Sequence, residues 1–313
     1  MQKNQTSYLT YGSMMIALFA ILLALTVYVP VVSVFVTFIV PLPIAWYSAK
    51  FERKHALLVT LIAVILAVLI GGIVGLVFGL FLAPLGFVIG NSIRTSQSKF
   101  YILMASSIYL LIISTILYIT FILVLNINIL TQLFEFLEIF YKEVGKIMDL
   151  AGQLPANYDE KTSEILLMFK MVVPFVYIAL VFIHAFIYVT LSLFLLKKLK
   201  LDVPKFSKFM DFRLPKAVLW YYLIVSICTL FGSFEIGTFG YLLFVNAALI
   251  LRVLLFLQGI SLIHYYFYVQ GWPKWSAVLA TVLAIPLYTF TIILGVLDLG
   301  FNLRAFLKDR YKK

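Results

Sequence analysis

The chain has 313 residues, of which 64% are hydrophobic, 17% aromatic and only 12% charged, with a formal net charge of +11. A soluble domain carries roughly 45–50% apolar and about 25% charged residues, so a water-soluble globular enzyme is excluded, as are disorder and a collagenous fibre. The single cysteine, Cys228, excludes an intrachain disulfide scaffold.

The fold class this implies is all-α, a polytopic transmembrane helix bundle of about eight to nine spans. Nine apolar stretches run over 11–29, 31–49, 55–70, 72–90, 101–126, 167–196, 217–234, 238–268 and 275–298. The strict alternation of a membrane β-barrel is absent. The first stretch follows a short start containing Lys3, and Val29-Pro30-Val31-Val32 after it offers no small-residue cleavage site, so it reads as a retained helix. Stretches two to four are short and closely spaced, which predicts that one is tilted, broken or only partly inserted.

Basic residues set orientation, because Lys and Arg accumulate in cytoplasmic loops. They fall in blocks: Lys50, Arg53 and Lys54; Arg94 and Lys99; the run from Lys197 to Lys216; and a tail from Arg304 to Lys313. Residues 131–165 are the opposite, with seven acids against three lysines. With a cytoplasmic N-terminus, each basic loop falls inside and the acidic stretch outside. The expected layout is a six-segment bundle over 1–196, a basic cytoplasmic loop at 197–216, further transmembrane segments over 217–300, and a basic cytoplasmic tail at 301–313. The last part does not close: three more crossings put the tail outside. Either one late segment fails to span, or stretch eight breaks in two; a cytoplasmic tail is favoured.

The acidic stretch contains an amphipathic helix at 131–150. Leu133, Phe136, Leu137, Phe140, Val144, Ile147 and Met148 recur at helical spacing between charged residues. It either lies in the outer headgroups or covers the bundle. Gly71, Gly75, Gly79 and Ala83 recur every four residues, and Ala20 with Ala24 forms a weaker small face. Such faces admit close helix approach, either within one bundle or against a separate membrane partner. Pro30, Pro41, Pro43, Pro84, Pro174 and Pro286 interrupt the apolar runs, as plain kinks or as the broken helices that line transporter cavities.

Polar residues inside spans are expensive and raise functional hypotheses. Arg252 is the clearest, either ion-paired with Glu235 or Asp298 or serving a substrate or coupling role. Asn246 and His264 share a face of the same helix. His184 stands alone in stretch six, as a packed imidazole or a site residue, and Lys170 can snorkel at that segment's outer end. Three dispersed histidines and no H-E-x-x-H frame predict no metal and no cofactor; no G-x-S-x-G and no Walker A sequence occurs. The thin acid–base inventory predicts that the chain is not an enzyme. The basic runs lack base-reading motifs, which argues against nucleic acid.

Residues Ala17 to Ala24, Pro41-Leu42-Pro43, Gln258-Gly259-Ile260-Ser261 and Gly295-Val296-Leu297-Asp298, with Phe301 and Arg304, resemble the YybS-like family of uncharacterised bacterial membrane proteins over essentially the whole length. That resemblance implies a multi-span protein of the bacterial inner membrane. Residues 10–195 are also similar to the S component of energy-coupling factor transporters, in which A-x-x-x-A alanines on the first helix contact a transmembrane coupling subunit; Ala20 and Ala24 fit that spacing. The segments beyond residue 216 depart from the S-component pattern. Two functions follow as expectations. One is binding of a small solute in the first six segments for transport, energised by partner ATPases or an ion gradient. The other is a membrane assembly or regulatory role in which the basic loop and tail hold anionic lipid or a cytoplasmic partner, with no transported solute.

Overall fold

The structure, a computed structural model, describes residues 2–205, 208–232 and 234–311; Lys312 and Lys313 of the expected tail lie outside the described residues. It is all-helical, with no strand among the described residues. In order the helices are α1 (Gln2–Tyr28), α2 (Pro30–Val36), α3 (Leu42–Lys50), α4 (Arg53–Arg94), α5 (Lys99–Leu125), α6 (Ile129–Leu150), α7 (Tyr158–Lys198), α8 (Ala217–Phe231), α9 (Phe239–Val269), α10 (Lys274–Ala284), α11 (Tyr288–Phe301) and α12 (Leu303–Tyr311), with a single 3-10 turn at Phe209–Asp211. Among the described residues five helices are long and apolar enough to cross a membrane, giving up to six spans if the bent α10–α11 pair is one. The chain divides into two compact units, Met1–Asn128 with Ile178–Phe206, and Ile129–Tyr177 with Ser207–Lys313.

In the first unit, α1 is answered by a broken return. Pro30 opens α2 and Pro41 and Pro43 open α3, leaving turns over 37–41 between them. Within α4, Gly72 sits at φ 56°, ψ −132°, outside the helical range, and the helix folds back there as two arms. Gly75 lies on the Ala67 carbonyl and Gly79 on Ala67 and Val64, so the two arms touch along their small residues. Stretches three and four are therefore one helical hairpin. Its tip meets the end of α1, where the Tyr28 hydroxyl donates to the Ile70 carbonyl at 2.5 Å and Gly71 touches Val27. The other ends also gather. Tyr8 stacks on His55 at 4.1 Å, the Tyr47 hydroxyl donates to the Tyr8 carbonyl at 3.1 Å, and Gly90 lies on Ala45 and Ser48. The start of α1, the basic turn at 50–54 and the end of α4 thus share one end, as the distribution of basic residues requires.

The second unit holds the amphipathic helix. α6 doubles back on the start of α7: Gly145 packs against the Tyr158 ring, and the Tyr158 hydroxyl donates to the Tyr141 carbonyl at 2.8 Å. Phe136, Phe140 and Ile147 remain exposed along the other face. Asp159 and Glu160 in the first turn of α7 and Lys197 and Lys198 in its last oppose the helix dipole. Ser98 caps α5 and Thr238 caps α9.

Three expectations change. The segment 129–177 groups with the C-terminal helices rather than with a bundle over 1–196, because α7 is bonded to α9, as described below. α9 runs unbroken for 31 residues, so stretch eight does not split. Stretch nine is the broken one, since α10 and α11 are bent by 111° around Pro286, and α8, at 15 residues, spans only about 22 Å.

Gly72 occupies a region open essentially to glycine alone. Gly72→Ala should cost about 1–3 kcal/mol although nothing lies within 4 Å of the added carbon. Gly71→Ala, which meets Val27 only at ordinary contact distance, should cost far less. Thermal unfolding of the two purified variants checks this; equal stabilities would refute the folded-back hairpin.

Candidate functional site

In oil, a carbonyl freed by proline must find another donor. Pro84 lacks the N–H that would bond Leu80, and the Tyr109 hydroxyl of α5 donates to that carbonyl instead. Pro174 opens α7 more deeply. Asn246 of α9 inserts its amide there: Nδ2 donates to the Met171 carbonyl at 2.7 Å, and Oδ1 accepts the Phe175 N–H at 2.7 Å. These two groups would otherwise bond each other. Nδ2 also donates to the Leu242 carbonyl at 2.7 Å. Asn246 therefore stitches α7 to α9.

The largest polar cluster lies at the C-terminal end of the chain. Gly259 packs on the Thr291 carbonyl and Gly295 on that of Leu255, which lets α9 and α11 cross in backbone contact. Beside the crossing, Asp298 is buried and its Oδ2 accepts Arg304 Nε at 2.9 Å and Gln258 Nε2 at 2.5 Å. Arg304 is 1% exposed. It also donates to the carbonyls of Met210 at 2.5 Å and Phe212 at 3.0 Å and to Ser261 Oγ at 3.0 Å, and it lies over the Tyr265 ring. The Ser261 hydroxyl faces the Phe209 and Phe212 carbonyls at 2.8 and 2.9 Å, and Gln258 Oε1 accepts the Leu214 N–H at 2.9 Å. Residues 208–214 are thereby fixed to α9, and the start of α12 lies with the basic loop. Burial pulls the Arg304 guanidinium below its ordinary value, and Asp298 opposes that by holding the charge.

This latch corrects one expectation. Asp298 pairs with Arg304, not with Arg252, because the left-handed Asn302, at φ 49°, ends α11 and turns the chain back. Glu235 is exposed in the α8–α9 connection, and its backbone carbonyl accepts the Thr238 hydroxyl at 2.7 Å. Among the described residues no carboxylate forms an ion pair with Arg252. Arg252 lies about 20 Å along α9. It borders a cavity of ≈ 210 Å³ whose other walls include Thr229, Gly232, Phe234, Tyr241 and Phe244. Phe234 stacks on Phe244 at 4.6 Å to form one wall.

The remaining candidates do not join it. His264 lies 18 residues from Asn246, about 27 Å along the helix. The Thr281 hydroxyl donates to the Ala277 carbonyl at 2.9 Å, so His264 Nε2–H is the donor to Thr281 Oγ1 at 2.7 Å, and the imidazole holds α10 to α9. His184 belongs to the first unit, exposed on α7, with Nδ1–H donating to the Leu180 carbonyl at 2.8 Å. Ala20 and Ala24 are half-buried on α1, whereas Gly75 and Gly79 are covered by the hairpin's own first arm. Lys170 lies 3.8 Å from Glu138 and over the Phe134 ring, beside a groove of ≈ 660 Å³ between α6 and α7. No group of His, Cys, Asp or Glu able to hold a metal occurs among the described residues.

Sequence reasoning missed the latch as a site. Asp298 and Arg304 are six apart, a spacing that no straight helix turns into a contact. The available signal was Asn302, a residue that favours the left-handed helix end.

The comparisons agree in outline. The family described as "Predicted membrane protein (DUF2232)" matches residues 17–299. The chain is 30% identical over 308 residues to "Uncharacterized protein YybS" of Bacillus subtilis (strain 168), covering 96% of this chain and 98% of that relative. No solved structure matches.

Asn246→Ala should cost about 1–2 kcal/mol, because it leaves the Met171 carbonyl and Phe175 N–H unpaired. On a Pro174→Ala background the cost should shrink, since the helix can close its own ladder. A double-mutant cycle by thermal unfolding measures the coupling; strictly additive costs would count against the inserted amide. Arg304→Met should be far more damaging, about 3–5 kcal/mol, because it strands a buried Asp298.

Proposed function

This chain belongs to the DUF2232 family of predicted membrane proteins, and we propose that it is a transport-related protein whose second unit, rather than its first six segments, binds a small anionic solute at Arg252. One observation carries this reading: a guanidinium on an apolar helix, with no ion pair among the described residues, at the edge of an aromatic cavity. A charge in such a place demands a counter-charge. Carboxylate and phosphate both match the forked donors of arginine. The cavity's ≈ 210 Å³ suits a solute of a few carbons, since drug-sized ligands occupy roughly 300–1,000 Å³. With no Walker A sequence in the chain, energy comes from a partner ATPase or an ion gradient. In this reading the protein sits in the bacterial inner membrane. By the distribution of basic residues, the N-terminus, the loop 197–216 and the tail face the cytoplasm in this reading.

The test is binding of small carboxylates and phosphates to detergent-purified protein, read by calorimetry. Arg252→Gln should weaken the best ligand by about tenfold or more, and Arg252→Lys by less, with thermal stability nearly unchanged in both. A panel without a single binder, or a ligand indifferent to Arg252→Gln, would sink the proposal. A large loss of stability in Arg252→Gln would show a scaffold role instead.

A further inference from the structure

The latch exposes one set of side chains while burying another. Residues 208–214 have little regular structure beyond the turn at Phe209–Asp211, yet five contacts from Gln258, Ser261 and Arg304 fix their backbone, and Arg304 also donates to Ser261. All the side-chain anchors are buried. The outward side chains are basic: Lys208, Arg213 and Lys216 are exposed, with Asp211 the one exposed acid of 208–216, and Lys308 on α12 is exposed too. Arg304 and Asp298 neutralise each other within. A segment that would otherwise be a floppy tether is held as a positively charged surface.

Its surroundings indicate what it meets. Lys208 lies over the Tyr268 ring with its Nζ 4.9 Å from the ring centre, and Phe209 meets His264 edge-on. One residue from Tyr268, Phe267 stacks on Trp272 at 4.7 Å. Past it, α10 presents Trp275, Val278, Leu279 and Val282 to the outside. Exposed tryptophans leading into an apolar helix face mark the level of lipid headgroups. Basic side chains at that level, with stems along aromatic rings and amines free, lie where lipid phosphates are found. A soluble protein partner has no use for the adjoining apolar face of α10.

We infer that the loop 208–216, held by the Arg304–Asp298 latch, forms with Lys308 and the Trp272–Trp275 rim a binding surface for the headgroups of anionic phospholipids. The site is independent of the solute reading at Arg252. Its affinity depends on the loop's shape as well as its charge, and that makes it testable. Asp298→Asn removes a negative charge, so attraction by charge alone would strengthen lipid binding. A shaped surface instead loses lipid when the latch opens.

The experiment uses the full chain in nanodiscs of phosphatidylcholine with or without phosphatidylglycerol, and in detergent with both lipids. Retained lipid is counted by native mass spectrometry, and folding is followed by thermal melting. The wild-type protein should retain phosphatidylglycerol preferentially and release it as salt rises. Lys208→Ala/Arg213→Ala/Lys216→Ala, which keeps every buried anchor side chain and removes the Arg213 charge that repels Arg304, should reduce retention by roughly fivefold per charge. Folded Asp298→Asn should also retain less. Wild-type retention in the triple variant overturns the inference, and so does equal or greater retention in folded Asp298→Asn. Crosslinks from Lys208 that capture protein and no lipid would overturn it too. If Asp298→Asn fails to fold, the triple variant decides.

Discussion

The constraint on which this structure depends is that every backbone N–H and C=O inside the bilayer must be paired by the protein itself. The sequence repeatedly breaks helices, and three of the breaks are answered by a side chain from elsewhere. Tyr109 meets the carbonyl that Pro84 frees, Tyr28 meets Ile70 at the turn of the hairpin, and Asn246 fills the gap below Pro174. The same logic extends to an irregular loop, where Arg304 and Ser261 supply donors to three carbonyls. Proline and polar residue act as pairs here. A proline alone would leave an orphaned acceptor, and a polar side chain alone would sit unsatisfied among leucines.

Glycine contributes the other half of the packing. Lipid offers helices no hydrophobic reason to meet, so contact comes from close backbone approach. Gly75 and Gly79 join the arms of α4, Gly86 and Gly90 receive α3, and Gly259 with Gly295 joins α9 to α11. At each of these positions a methyl group would fall on backbone or on a tightly packed side chain. The glycine ladder in stretch four reads equally well as a surface for another protein until the fold-back at Gly72 is seen. That turn places the ladder against its own first arm, and Gly72 is the one residue of the run whose backbone left-handed torsion requires glycine.

What the sequence made legible follows from how local each signal is. Apolar length, the amphipathic period of α6 and the proline positions are properties of neighbouring residues, and the helices lie where those signals fall. Partners of the breaks were not legible, because Asn246 lies 71 residues from Phe175 and Ser261 lies 52 from Phe209. Crossing number was hard for a related reason: α8 and the bent α10–α11 pair are apolar enough to resemble spans, while their length and angle are set by tertiary contacts. Part of the family resemblance, Gln258-Gly259-Ile260-Ser261, Asp298 and Arg304, meets in one buried cluster, whereas Ala17 to Ala24 and Pro41-Leu42-Pro43 lie in the first unit.

The two arginines differ in how far the fold completes their chemistry. Arg304 donates four hydrogen bonds, shares a carboxylate and is closed off from solvent; its chemistry is complete within the fold. Arg252 is the same side chain on a more apolar helix, exposed beside a cavity and without an ion pair among the described residues. Asn246 and His264, equally polar and equally deep in sequence terms, fall with Arg304 because their bonds join helices. A guanidinium costs roughly 2.5–3.5 kcal/mol to place at the centre of a spanning helix. The latch recovers such a cost through its own bonds. At Arg252 no carboxylate among the described residues offers such compensation, and the proposed binding role rests on that difference.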